Sequence, residues 1–174
     1  MNFNEKLKKS WDLRDQIKAY GDKIIYDQNC PHKELKDDWL KYVAVHDSVF
    51  LCLESIGEFN NDCSTIQTVG ILQTIYLLQD CMQALANWYS VDYQHNKDIR
   101  EFRNNMIGHP IERYNKCSFS VNVRTKALSE YSPSLNNRVS KADIYNLFHV
   151  VDVSLDNFIV LAESICENMR QVND

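Results

Sequence analysis

The stretch Ser64–Tyr89, STIQTVGILQTIYLLQDCMQALANWY, decides the fold. Between Asp62 and Asp92 the only formal charge is Asp80. Leu72, Ile75, Leu78, Met82 and Leu85 recur at steps of three and four, the spacing that stacks side chains on one face of an α-helix. A helix so poor in charge is expected to be the central, most buried one of its fold. A second stripe on it is polar: Gln73, Tyr76, Asp80, Gln83 and Asn87 share one face. A buried polar face needs partners. It either satisfies neighbouring helices, faces solvent, or lines a cleft or a dimer seam. Asp80 has no counter-charge on its own helix, which favours the cleft or seam.

Upstream, the pattern predicts a helix over about 4–28, with Phe3, Leu7, Trp11, Ile17, Tyr20 and Ile24 as its apolar side. Cys30-Pro31-His32 breaks it. A second helix is expected over about 33–58, with Leu35, Trp39, Val43, Phe50 and Leu53 inward, ending at Asn60-Asn61-Asp62. Downstream, a short helix is expected over about 97–107, with Ile99, Phe102 and Met106 on its apolar side and Gly108 as its stop. Phe119, Val121 and Val123 then alternate with polar residues, a strand signal that Ala127–Tyr131 can pair with as a hairpin. A last helix starts at Ser140, with Asp143 completing a capping-box-like start, and runs through Phe148, Leu155, Phe158 and Ile165 to near the C-terminus. The expected fold is all-α: an antiparallel bundle of about five helices in one domain over 1–174, with a small β-hairpin excursion before the last helix.

Composition supports this. With 174 residues the chain can bury enough surface to fold without a staple, and four Gly and three Pro leave room for long helices. The N-terminus has no apolar run like that of a leader, and no stretch reads as a membrane span, so a soluble cytoplasmic protein is expected. None of the six cysteines forms a CxxC pair, which argues against a zinc site and for free thiols in a reducing compartment. No histidine spacing suggests another metal, so no metal or cofactor is expected; His46 and His149 read as interior or boundary residues of helices. The net charge of −5 argues against a general nucleic-acid coat. Residues 97–126, however, hold seven cations against three anions, a surplus of four that leaves −9 for the rest of the chain. Such a basic segment on an acidic body either holds an anionic ligand or is a solvated loop with stray charge.

Within that segment stands Arg100-Glu101-Phe102-Arg103-Asn104-Asn105-Met106-Ile107-Gly108-His109-Pro110. Arg103 offers a permanent cation with a planar fork of donors, suited to phosphate. His109 can take or give a proton near neutral pH. The Gly108-His109-Pro110 break lets His109 turn back toward Arg103. An Arg and a His on one anionic site suit cleavage of RNA without a metal: His removes the 2′-hydroxyl proton and Arg stabilises charge on the phosphorus oxygens. The competing role is structural, with Arg103 paired to Asp80 and His109 bonded to carbonyls of its own helix.

Arg103-Asn104-x-x-x-Gly108-His109 resembles the Arg-x(4–6)-His signature of HEPN domains (higher eukaryotes and prokaryotes nucleotide-binding), and the resemblance extends over roughly residues 64–131. These domains are small helical bundles. Many are metal-independent ribonucleases, often toxins of toxin–antitoxin pairs or phage-defence effectors, and they commonly dimerise so that two motifs form one site. The resemblance implies a ribonuclease with Arg103 and His109 catalytic, Asn104 assisting, RNA as substrate and a homodimer as the working form. Asp80 as an orienting acid is inferred from its position, not from the motif. The alternative is a non-catalytic module of the same fold that dimerises or binds a partner protein, for instance an antitoxin-like nucleotidyltransferase, through the polar stripe.

Overall fold

The computed structural model describes residues 1–26, 39–60, 65–97, 99–100, 118–122, 127–131, 140–141 and 147–171. Four long helices make up most of these: α1 (Phe3–Tyr26), α2 (Trp39–Glu58), α3 (Thr65–Trp88) and α4 (Leu147–Gln171). α1 opens on a reciprocal cap. The Asn2 side-chain oxygen accepts from the Glu5 amide at 3.0 Å, and the Asn2 amide donates to the Glu5 carboxylate at 2.8 Å.

The expected apolar stripe of α3 forms the centre of the core: Leu72, Ile75, Leu78, Met82 and Leu85 are each at most 1% exposed. Leu53 and Ile56 from α2, Ile17 from α1, and Val151, Leu155, Phe158 and Ile165 from α4 close around them in one cluster. The opposite flank of α3 is not enclosed. Leu77 is 44% exposed, and Val69, Asp80 and Asn87 also face solvent. Charge depletion marks α3 as a core helix, yet side chains that are neutral apart from Asp80 line its open flank. Trp39 and Phe50, expected inward on α2, are largely exposed, and Phe50 instead packs edge-on against Trp11 with ring centroids 5.1 Å apart.

Contacts fix the direction of each long helix. Tyr42, early in α2, donates to the carbonyl of Lys18, late in α1, at 3.0 Å, so these two run antiparallel. The Cys52 thiol, late in α2, contacts the carbonyl of Thr74, in the first half of α3, at 3.4 Å. The early part of α4 meets the end of α2 and the start of α1: Phe148 lies 4.7 Å from Phe59 between ring centroids, and Lys6 binds Asp152 at 2.8 Å and Asp156 at 2.6 Å. Near its end, Asn168 donates to the carbonyl of Tyr89, just past α3, at 3.4 Å. α4 therefore runs parallel to α1 and α3, the direction that a fifth helix takes in an alternating bundle whose fourth is the short helix expected over 97–107. The connection over 89–146 is long enough to bring the chain back to the starting end before α4 begins.

The α1–α2 seam is tight at Gly21, where a Cβ would collide with the Tyr42 hydroxyl. His46 lies one turn from Tyr42, tilted against it at 4.4 Å between ring centroids and 1% exposed. Burial pushes its pKa down to about 4, with Arg14 and Lys18 acting the same way and Asp22 opposing. His149 is exposed, at the boundary of α4 in its first described turn. Cys52, Cys81 and Cys166 are buried free thiols, and burial pushes the first two up to about 12 and about 11, so they stay protonated.

Beyond the helices, the backbone of β1 (Ser118–Asn122) lies antiparallel to β2 (Ala127–Tyr131), with β3 (Ser140–Lys141) beside β2. Ser140 thus pairs with Tyr131 instead of starting the last helix, which is described from Leu147. The architecture established here is the four-helix bundle. Most of the helix expected over 97–107 lies outside the described residues. Among the described residues no helix is long and apolar enough to cross a membrane.

Candidate functional site

Of the four residues singled out in the sequence, Asp80 is described; Arg103, Asn104 and His109 lie outside the described residues. The geometry around Asp80 begins with how α3 ends. Ser90 takes a left-handed backbone, φ 53°. Its amide reaches the Asn87 carbonyl at 3.4 Å, and the next amide, Val91, reaches that of Ala86 at 2.9 Å. This closure satisfies carbonyls that the helix end would leave open, and turns the chain back along α3. Val91 and Tyr93 then pack on the core, and the Tyr93 hydroxyl sits 3.8 Å from the Met82 sulfur.

A new helical turn starts at Asn96. Its side-chain oxygen accepts from the Ile99 amide and its carbonyl from the Arg100 amide, both at 3.2 Å. Ile99 is buried in the core. With the cap on one side and the Ile99 anchor on the other, Arg100 is brought against the polar stripe of α3. Its Nη1 donates to Asp80 Oδ1 at 2.8 Å, and its Nη2 to the Tyr76 hydroxyl at 2.5 Å. The guanidinium carbon also lies 4.2 Å from the Tyr76 ring centroid. Tyr76 and Asp80 are one helical turn apart, which is why one guanidinium reaches both.

His95 completes the group. Its Nδ1 lies 3.0 Å from Arg100 Nη1, and its ring meets Tyr93 edge-on at 5.5 Å between centroids. The cluster is partly open: the Arg100 side chain is 25% exposed and that of Asp80 48%. Burial opposes the charge on Arg100, but Asp80 and Tyr76 together raise its pKa above the ordinary value. Burial, then Arg100, holds the His95 pKa below its ordinary value against the pull of Asp80. Burial pushes the Tyr93 phenol up to about 12.

The counter-charge that Asp80 lacks on its own helix thus comes from Arg100. The remaining polar stripe is partly self-satisfied, since Gln83 donates to Asn87 at 3.0 Å. Gln79, next to Asp80 in sequence, is buried with neither amide atom partnered among the described residues. Arg100, Tyr76 and His95 were not read as site residues from the sequence. The four-residue spacing of Tyr76 and Asp80 was visible, but the arrival of Arg100 and His95 depends on the turn at Ser90. A recess of about 200 Å³ between α2 and α3, lined by Phe59, Gly70 and Thr74 among others, has Glu58 as its single ionisable lining residue and offers no acid–base pair. Among the described residues no group of His, Cys, Asp and Glu could hold a metal ion. No family model, no curated protein and no solved structure matches the chain, so the resemblance to HEPN domains rests on the motif residues and their sequence context.

Proposed function

We propose that this protein is a metal-independent endoribonuclease of the HEPN kind. The observation that supports this reading most is the fastening of Arg100 to Tyr76 and Asp80 on a partly open face. Arg103 follows three residues later, so covalent geometry keeps its Cα within about 11 Å of the Arg100 Cα. In the proposed reaction His109 takes the proton of a 2′-hydroxyl, and the oxygen attacks the adjacent phosphorus. Arg103 stabilises the charge that builds on the phosphoryl oxygens and Asn104 assists; the P–O5′ bond breaks, and the departing 5′-oxygen takes up the proton that His109 accepted. Asp80 acts through Arg100 rather than by touching RNA. The substrate is an unpaired strand or loop, whose 2′-hydroxyl is free to align with the phosphate, drawn along the basic 97–126 segment. The proposed working form is a homodimer in which two Arg103/His109 pairs share one cleft, with a toxin or phage-defence role.

Arg103→Ala and His109→Ala are each expected to abolish cleavage of a mixed RNA pool while leaving the thermal unfolding midpoint unchanged. Retained cleavage in both variants would remove these residues from the site.

One observation favours a second reading. Arg100 and Asp80 already satisfy each other, and the open flank of α3 exposes Val69 and Leu77 with little charge. That flank suits contact with another helix, as in a non-catalytic module that dimerises or binds an antitoxin-like protein. An active ribonuclease slows its host on expression; the module does not.

A further inference from the structure

The proposed reaction uses one titrating side chain, His109, yet a second histidine stands beside the anchor of the same segment. We propose that His95 is a positioning residue of this site, holding Arg100 only while its own ring is neutral.

Arg100 Nη1 reaches both Asp80 Oδ1 at 2.8 Å and His95 Nδ1 at 3.0 Å. Nε2 of the same ring is farther, at 3.4 Å. One Nη1 within 3.0 Å of Nδ1 and 3.4 Å of Nε2 lies over the face of the ring, so the contact is a guanidinium stacked on an imidazole. A guanidinium has no acceptor, so it offers an imidazolium nothing in return. Protonation of the ring sets two positive charges about 3 Å apart, an arrangement that disfavours the imidazolium.

The charged and titratable groups facing His95 among the described residues are Arg100 on the following helical turn, Asp80 on α3, and Tyr93 on its own loop. Asp80 favours the imidazolium, while burial and Arg100 oppose it, and the neutral ring prevails near pH 7. Acidification then loosens Arg100 from one of its three named partners. The coupling between His95 and Arg100 is independent of any activity; its consequence for cleavage rests on the ribonuclease reading.

Two measurements on the full chain separate these. The first is an NMR titration of the His95 ring, assigned with His95→Gln, in wild type, Arg100→Gln and Asp80→Asn. The expected result is a wild-type pKa below the ordinary value, an upward shift in Arg100→Gln, and a downward shift in Asp80→Asn. A His95 pKa that Arg100→Gln leaves unmoved overturns the proposal. The second is the pH profile of RNA cleavage. Glutamine keeps a neutral, planar polar group beside Arg100 and does not titrate, so the acid limb of His95→Gln is read relative to its own activity at pH 7. At the acid end it should lose activity with a one-proton dependence where wild type shows two. Identical acid limbs in the two proteins also overturn the proposal. Absence of cleavage in wild type defeats the ribonuclease reading instead, and His95–Arg100 coupling then stands or falls on the titration alone.

Discussion

Acidification should destabilise the bundle through His46, and the size of the effect follows from where that ring sits. It is 1% exposed in the α1–α2 seam, its pKa is lowered to about 4, and neither ring nitrogen has a partner among the described residues. In the unfolded chain the ring titrates near 6.5. Between these values the unfolded state binds more protons than the folded one, so stability is full above pH 6.5 and falls as pH drops toward the folded pKa. At 1.36 kcal/mol per unit, His46 alone removes about 2 kcal/mol by about pH 5 and about 3 kcal/mol below about pH 4. The measurement is urea unfolding, followed by circular dichroism, at a series of pH values. His46→Leu removes the titrating group, and His46→Gln does so while keeping a polar side chain. The difference between wild type and either variant cancels the other carboxylates and histidines. Stability curves that run parallel from pH 7.5 to 5 would refute the reasoning.

Two further substitutions test the local structure. Ser90→Gly should stabilise the protein by about 1 kcal/mol, because glycine takes the left-handed φ of 53° without the strain a Cβ adds, and a higher unfolding midpoint would show it. Gly21→Ala should cost roughly 1–3 kcal/mol, since the new methyl displaces the Tyr42 hydroxyl from the Lys18 carbonyl, and a shift of the urea midpoint reads this directly. Asp80→Ala should change stability by less than about 1 kcal/mol, as its partly exposed ion pair is screened by water, yet lower RNA cleavage by releasing Arg100.

The core of this fold was legible because two signals coincide on one helix. The three-to-four spacing of Leu72, Ile75, Leu78, Met82 and Leu85 and the lack of charge from Cys63 to Val91, apart from Asp80, both point inward, and burial agrees at every one of those five positions. The direction of α4 followed only from counting the short helix expected over 97–107, because its own stripe carries none. An apolar stripe such as Val151, Leu155, Phe158 and Ile165 buries equally well in a helix running either way, and only the contacts of Phe148 and Asn168 settle it. The candidate site was half legible. Asp80 stood out as a lone charge in an apolar helix, but Arg100 and Arg103 lie three residues apart, and spacing alone does not tell which cation answers it. The choice of Arg100 comes from the left-handed turn at Ser90, the Asn96 cap and the buried Ile99, and no single residue pattern announces that combination. His95 escaped notice for the same reason, since its partner is set by the fold and not by its neighbours in sequence.

The most direct test of the central claim is incubation of the purified protein with a mixed RNA pool in EDTA, with His109→Ala alongside. The account predicts cleavage by wild type that leaves 2′,3′-cyclic phosphate ends and is absent in the variant. Intact RNA with both proteins, from a preparation shown to be folded, would contradict it and favour the interaction module.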